Sequence, residues 1–226
     1  MTSTLNRTLM IDADSHYFPQ LDFDEMRRLL TSRGYGPEEV NMILRDASTF
    51  TGQGARRGGF SRTAQGARVG ASDTSDQRGG GGQAVGMGDV EERANLMAET
   101  GFDQQVLIPD GVFANMFWSP IGRKTGALEE GVRLALSIGF NNAVAAAQRQ
   151  RPDRFIGTAI LPIPDVAASC EEATRAVKEL GLKAITLQGN WMGTNWDALE
   201  LYPFWRTASD LGATIFVHHV PFQDRK

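Results

Sequence analysis

The chain has 226 residues, of which 41% are hydrophobic and 22% are charged, and these values are typical of a globular protein. Its formal charge of −4 lacks the basic excess on which nucleic-acid binding depends. Its single cysteine excludes a disulfide framework and a cysteine-only metal site. No stretch approaches the roughly 18 apolar residues that a membrane span needs, and the N-terminus has no signal-peptide pattern. We therefore expect a cytoplasmic protein with no nucleic-acid or membrane partner.

A glycine-rich segment interrupts this ordinary composition. Residues 52–88 hold 12 of the chain's 25 glycines and five arginines, but no Leu, Ile, Trp or Tyr. Such a segment buries too little apolar area to offset the entropy of ordering it. Glycine with arginine can also bind phosphate or RNA, but no phosphate-loop pattern surrounds these residues. We predict that 52–88 is a flexible insertion after the first strand.

Along the rest of the chain, short apolar runs alternate with longer amphipathic runs. The short runs predict five strands, at residues 8–12, 105–109, 155–161, 183–187 and 213–218. The longer runs predict helices, at residues 24–31, 37–47, 90–100, 128–149, 166–181 and 199–211. Asp89 and Asp165 precede two of these helices as N-caps, and Gly101 and Gly212 follow two of them as C-terminal stops. Cys170 falls on an apolar helical stripe, so we interpret it as a core residue rather than a nucleophile.

Five apolar strands joined by four helical connections predict the α/β class, with a parallel sheet covered by helices. Two architectures fit this pattern, an open doubly wound sheet and a (β/α) barrel. A doubly wound nucleotide-binding domain is disfavoured because the first strand ends in acidic residues instead of a glycine-rich turn. In both architectures ligands bind at the C-terminal ends of the strands, so functional residues are expected there.

All three histidines of the chain lie at predicted strand ends. The two-residue period of a strand places Asp12, Asp14 and His16 on one face. His218 and His219 are neighbours and point to opposite faces, so at most one joins such a site easily. Carboxylate and imidazole together suit zinc, manganese or iron. The alternative is a set of hydrogen-bonded structural residues, with Asp12 capping a loop or orienting a ligand, and His219 serving as a base, contacting a ligand residue or facing solvent.

Six separated motifs occur in the order of a known family. They are Ile-Asp-Ala-Asp-Ser-His (11–16), Phe-Asn-Asn (140–142) with Arg-Pro-Asp-Arg-Phe-Ile-Gly (151–157), Leu-Pro-Ile-Pro-Asp (161–165), Ala-Val-Lys-Glu-Leu-Gly-Leu-Lys-Ala-Ile (176–185), Tyr-Pro-Phe-Trp (202–205) and Phe-Val-His-His (216–219). On these motifs the chain resembles the amidohydrolase-related family, which includes aminocarboxymuconate semialdehyde decarboxylase and the resorcylate decarboxylases. The resemblance implies a metal-dependent (β/α)8 TIM barrel.

The resemblance also implies a set of metal ligands. In the family, two ligands lie on strand one and a third at the end of strand five, which corresponds to Asp14, His16 and His218 here. The implied cofactor is a divalent metal ion, zinc first, with manganese and iron as alternatives. Asp12 and His219 are expected to contact these ligands. The family pattern further needs a histidine after strand six and an aspartate after strand eight, so the catalytic residues are expected beyond Lys226.

The function implied is that of a metal-dependent enzyme acting on a small carboxylated substrate. The Asp-x-His form of the first motif favours a decarboxylase. The alternatives are a hydrolase of an amide or ester, and a truncated non-catalytic binding protein on the same scaffold. A complete barrel takes about 250 residues, so we expect residues 1–226 to form one C-terminally incomplete domain of about five βα units. Open strand edges would make such a chain aggregation-prone unless it dimerises or meets a complementary piece, and the full-length form is expected to be a homo-oligomer.

Overall fold

The structure is a computed structural model, and it describes residues 8–17, 21–50, 89–109, 127–189 and 194–218. Within these ranges five strands alternate with helices. The strands are β1 (Ile11–Tyr17), β2 (Gln104–Pro109), β3 (Phe155–Ala159), β4 (Ala184–Leu187) and β5 (Thr214–Val217). The α-helices are α1 (Phe23–Ser32), α2 (Pro37–Phe50), α3 (Val90–Thr100), α4 (Ala127–Gln150), α5 (Val166–Lys178) and α6 (Tyr202–Leu211), with a 3₁₀ helix (Leu199–Leu201) before α6. The predicted insertion at 52–88 lies outside the described residues.

The strands form one parallel sheet in the order β1-β2-β3-β4-β5. Each strand pairs with its neighbour in sequence, whereas a doubly wound sheet reverses its winding at a switch point. The sheet is strongly curved, because Oδ1 of Asp14 in β1 lies 3.0 Å from Nε2 of His218, the residue after β5. The fold is therefore an α/β half-barrel, which decides between the two predicted architectures. Because the strands are parallel, their C-terminal ends lie at the same edge of the sheet.

The main hydrophobic core lies between the sheet and the helices α3 to α6. Leu107, Phe155 and Ile185 of the strands are buried in this core together with Phe204 of α6. Each such side chain contributes about 1.5–3 kcal/mol when it is fully buried. Cys170 is partly buried and packs against this core, as the helical stripe predicts.

A second core joins α1 and α2, which both precede the predicted insertion, to α4. Met26 and Ile43 are fully buried in this core. Two glycines of α4 allow the close approach, because an added Cβ at Gly139 would lie 2.7 Å from Sδ of Met26 and one at Gly131 would lie 2.6 Å from Cδ1 of Ile43. Helices α1 and α2, which follow β1, are thereby packed onto the half-barrel.

Capping residues set the limits of α3 as the sequence predicts. The Asp89 side chain accepts a hydrogen bond from the backbone N–H of Glu92, and Gly101 ends the helix in the left-handed conformation at φ 84°. Gly181, at which the predicted helix 166–181 closes, adopts the left-handed conformation at φ 73°, and α5 itself ends a few residues earlier, at Lys178. None of the described helices is long and apolar enough to cross a membrane.

The first strand differs from its prediction. Residues 8–12 were expected as the strand, but β1 runs over Ile11–Tyr17 and includes the polar residues that were placed at its end. Pairing with β2 explains the difference, since His16 lies opposite Ile108 and Tyr17 opposite Pro109. Backbone pairing with a buried neighbour therefore outweighs the low strand propensity of Asp and Ser.

Candidate metal centre

Three side chains from the two ends of the half-barrel converge on one point. The Oδ1 atom of Asp14 lies 3.0 Å from Nε2 of His218 and 3.6 Å from Nε2 of His16. The two imidazole rings are 5.1 Å apart and meet at 73°. Each of the three residues offers one ligand atom, and these atoms lie within 4.8 Å of one another.

The two strand ends carry these residues for identifiable reasons. His16 stands opposite Ile108 in the β1–β2 ladder, so its backbone is fixed by the sheet. His218 follows β5 directly, and its backbone N–H donates to the carbonyl of Leu187 at 2.8 Å, which extends the β4–β5 ladder by one residue. The backbones of the two histidines are therefore held by the strand ladders at the two ends of the sheet.

The donor set fits a divalent metal ion. Metal–nitrogen and metal–oxygen bonds of about 2.0–2.2 Å bring donors on one ion to roughly 3–4 Å from each other. A carboxylate with two imidazoles suits zinc, manganese or iron alike. The side chain of Asp14 is 66% exposed, while those of His16 and His218 are 36% and 21% exposed. One side of the cluster is thus open to solvent, where further donors or a substrate could approach.

The structure separates Asp12 from this group, against the prediction of one shared face. The β1–β2 register shifts between Asp12 and Ser15, which marks a β-bulge and breaks the two-residue alternation. The Asp12 carboxylate accepts hydrogen bonds from the Ser15 hydroxyl and from the amide of Gln105. It also accepts one from the backbone N–H of Asp14 at 3.1 Å. The Asp12 side chain therefore contacts the predicted ligand Asp14 through the backbone N–H of Asp14.

One further predicted site residue is not described. His219 lies outside the described residues, and so does the chain beyond it. That the catalytic residues lie beyond Lys226 stays a prediction.

Sequence reasoning missed Arg93 and Gln105, which lie near the site. Arg93 is only 8% exposed, and its Nε donates to the side-chain oxygen of Gln105 at 2.8 Å. Its guanidinium lies 5.8 Å from the ring centroid of Tyr17. Burial lowers the pKa of Arg93, although Tyr17 and Asp12 oppose this shift. In the sequence Arg93 follows two glutamates in a helix, a pattern typical of a solvated face, so nothing there signalled its burial.

A sequence model of a family described as amidohydrolase matches residues 11–224 of this chain. The chain belongs to the amidohydrolase family. Curated relatives of this chain include 2-amino-3-carboxymuconate-6-semialdehyde decarboxylase of Dictyostelium discoideum, 35% identical over 79 residues, which are 35% of this chain and 22% of that protein. Gamma-resorcylate decarboxylase of Rhodococcus jostii (strain RHA1) is 32% identical over 87 residues, or 34% of this chain and 26% of that protein.

Solved structures share the fold. The 5-carboxyvanillate decarboxylase of Novosphingobium aromaticivorans, which was solved with bound manganese, is similar with a TM-score of 0.55 and 21% identity. The match covers 93% of this chain and 50% of that one. A dihydroxybenzoic acid decarboxylase of Polaromonas sp. JS666, also with bound manganese, matches with a TM-score of 0.53 and 17% identity over 96% of this chain and 51% of its own. The chain thus spans about half the length of these solved structures, and its matches span about a quarter of the length of the curated relatives.

Proposed function

We propose that this chain supplies three ligands of the metal centre of a decarboxylase that acts on small carboxylated substrates. The observation that carries the proposal is the convergence of Asp14, His16 and His218 on one point at the C-terminal ends of β1 and β5. The relatives support the reaction class, since those named above are decarboxylases.

Each of the three proposed ligands has a definite role. Asp14 offers a carboxylate oxygen, and His16 and His218 each offer Nε2 of a neutral imidazole. A divalent ion held there supplies Lewis-acid polarisation of a substrate oxygen. The exposed side of Asp14 leaves room for a substrate carboxylate, and the strands behind the imidazoles keep the ligand atoms oriented. Manganese is bound in two of the solved relatives, so it is the first ion to test, before zinc and iron.

The test is metal binding by ligand variants of this chain. Asp14→Asn, His16→Gln and His218→Gln are each expected to weaken the dissociation constant for Mn²⁺ by more than the 10–100-fold typical of losing an outer hydrogen-bond partner. Asp210→Asn is a matched control, because Asp210 is an exposed carboxylate on α6. Titration calorimetry and elemental analysis measure affinity and stoichiometry, and circular dichroism checks that each variant is folded. The assignment is wrong if all three variants retain the stoichiometry and affinity of the wild-type protein.

Hydrolysis of an amide or ester is the second candidate, because the family itself is described as amidohydrolase. The two reactions differ in what leaves the substrate. A hydroxybenzoate labelled with ¹³C in its carboxyl group yields labelled carbon dioxide under decarboxylation, whereas an anilide or ester substrate yields an acid under hydrolysis. The assay applies to the protein that contains this chain, and metal binding without either product would favour the non-catalytic alternative.

A further inference from the structure

The bulge in β1 lies directly before the predicted ligand Asp14. Asp12 stands opposite Gln105 and Ser15 opposite Leu107, so three steps along β1 match two steps along β2. An extra residue of this kind leaves backbone groups unpaired and re-aims the side chains that follow. Without the bulge, Asp14 and His16 would keep the alternation set by Asp12 and would share its face.

The Asp12 carboxylate accepts hydrogen bonds from two residues of the bulge. One oxygen accepts the backbone N–H of Asp14 at 3.1 Å, and the other accepts the hydroxyl of Ser15. The first of these bonds gives a backbone N–H within the bulge a hydrogen-bond partner. The orientation of the Asp12 side chain therefore decides where the backbone of Asp14 lies.

Gln105 fixes that orientation from the neighbouring strand. Its Nε2 donates to Oδ2 of Asp12 at 3.2 Å, while its side-chain oxygen accepts from Nε of Arg93 at 2.8 Å. Both ends of the amide are engaged, so the amide has one preferred orientation. Arg93 is itself buried beside the Tyr17 ring. A chain of hydrogen bonds thus connects helix α3 to the backbone of Asp14.

We infer that Gln105, oriented by Arg93, is a positioning residue that holds the β1 bulge and so aims Asp14 at His218. The inference rests on the proposed function, because it concerns the geometry of the same metal site. The inference adds Gln105 and Arg93, which are not ligands of the metal ion but control how closely the ligands converge. Hydrogen-bond partners behind metal ligands commonly change metal affinity by 10–100-fold.

The experiment compares Gln105→Leu and Gln105→Glu with a matched control in the same strand. Glutamate at 105 can still accept from Arg93, but it cannot donate to Asp12 and it adds a like charge there. Both variants are expected to weaken Mn²⁺ binding by about 10–100-fold and to alter the visible spectrum of Co²⁺ bound in place of Mn²⁺. The control is Gln104→Leu, because the side chain of Gln104 donates to the carbonyl of Asp153, at 3.5 Å, and not to Asp12.

A double variant tests the hydrogen bond itself. In Asp12→Asn with Gln105→Glu, the amide and the carboxylate exchange places, so a donor and an acceptor again face each other across the two strands. This variant is expected to recover most of the affinity and the Co²⁺ spectrum that Gln105→Glu loses. A residue needed only for sheet stability would show no such recovery of the spectrum.

The outcomes separate the inference from the proposed function. If the variants of Asp14, His16 and His218 keep their metal, the proposed function fails. If those variants lose the metal while Gln105→Leu and Gln105→Glu bind Mn²⁺ like the wild type, the positioning role alone is wrong. It is also wrong if Gln104→Leu loses as much affinity as the Gln105 variants. Should Gln105→Leu fail to fold, the comparison between Gln105→Glu and the double variant decides.

Discussion

Tyr17 ends β1 one residue after the predicted ligand His16, and its phenol ring is buried against the main core. Burial raises the pKa of Tyr17, and Asp89 adds to the shift while Arg93 opposes it. The folded protein therefore holds the phenol proton more tightly than the unfolded chain does. The stability that this provides is fully present below a pH of about 10 and is lost as the pH rises through the folded pKa.

This linkage gives a prediction for alkaline pH. The free energy of unfolding of the wild-type protein is expected to fall between about pH 8 and pH 11, and to fall less steeply in Tyr17→Phe. Tyr35, whose pKa burial also raises, keeps its contribution in the variant. Urea unfolding at both pH values measures the difference. Equal slopes in the two proteins would show that Tyr17 ionises as easily in the folded state as in the unfolded chain.

At the scale of helices and strands, Asn141 of α4 connects a buried ion pair within α5 to the residue that follows β3. Glu172 is fully buried and its Oε1 lies 2.7 Å from Nη2 of Arg175. Asn141 donates from one amide nitrogen to Glu172 at 2.7 Å and to the carbonyl of Ile160 at 2.9 Å. Its oxygen accepts the backbone N–H of Ile160 at 2.8 Å. The motif Phe-Asn-Asn thereby holds the chain as it leaves β3.

Removal of the cation should be costly because it leaves a buried carboxylate without its partner. Arg175→Met keeps the aliphatic stem and is expected to lower the free energy of unfolding by about 3–5 kcal/mol. The control is Arg206→Ala, which breaks an exposed pair with Asp210 at 3.9 Å and should cost less than about 0.5 kcal/mol. Urea denaturation measures both. A cost for Arg175→Met as small as that of the control would mean that Glu172 is satisfied by Asn141 alone.

Features that depend on residues close in sequence are predicted better than features that depend on pairing between distant strands. The boundaries of α3 follow from Asp89 and Gly101, because a cap and a left-handed stop act on residues close in sequence. The bulge in β1 depends on Gln105, which is 93 residues away from Asp12. The sequence therefore predicts the convergence of Asp14, His16 and His218 at strand ends, but it places Asp12 on the wrong face.

At the scale of the whole molecule, the half-barrel leaves two strand edges open. Within the described residues β1 and β5 each pair with one neighbour only. Large apolar side chains are exposed at these two strands, with Leu9 58% and Met10 48% exposed just before β1 and Val217 61% exposed in β5. Open apolar edges favour pairing with another chain. Homo-oligomerisation of the full-length form stays a prediction.

The edges give a prediction for this polypeptide alone. It is expected to self-associate as its concentration rises, and the double variant Leu9→Lys with Met10→Lys should shift it toward lower mass. Leu199→Lys is the control, since Leu199 is 89% exposed but lies in the 3₁₀ helix away from the strand edges. Sedimentation velocity at several concentrations measures the change. A compact, thermostable monomer in the wild-type protein at every concentration would contradict this prediction.

The cluster of Asp14, His16 and His218 has a consequence for folding as well as for chemistry. Asp14 and His218 are 204 positions apart in the chain, and the entropy lost in closing a loop grows with the logarithm of its length. The ladders from β1 to β5 have already closed this loop when the sheet forms. An unfolded chain presents only the neighbouring pair Asp14 and His16, whereas the third donor arrives only with tertiary structure. Occupancy by an ion that needs all three donors would therefore report that the first and fifth strands have docked in one molecule.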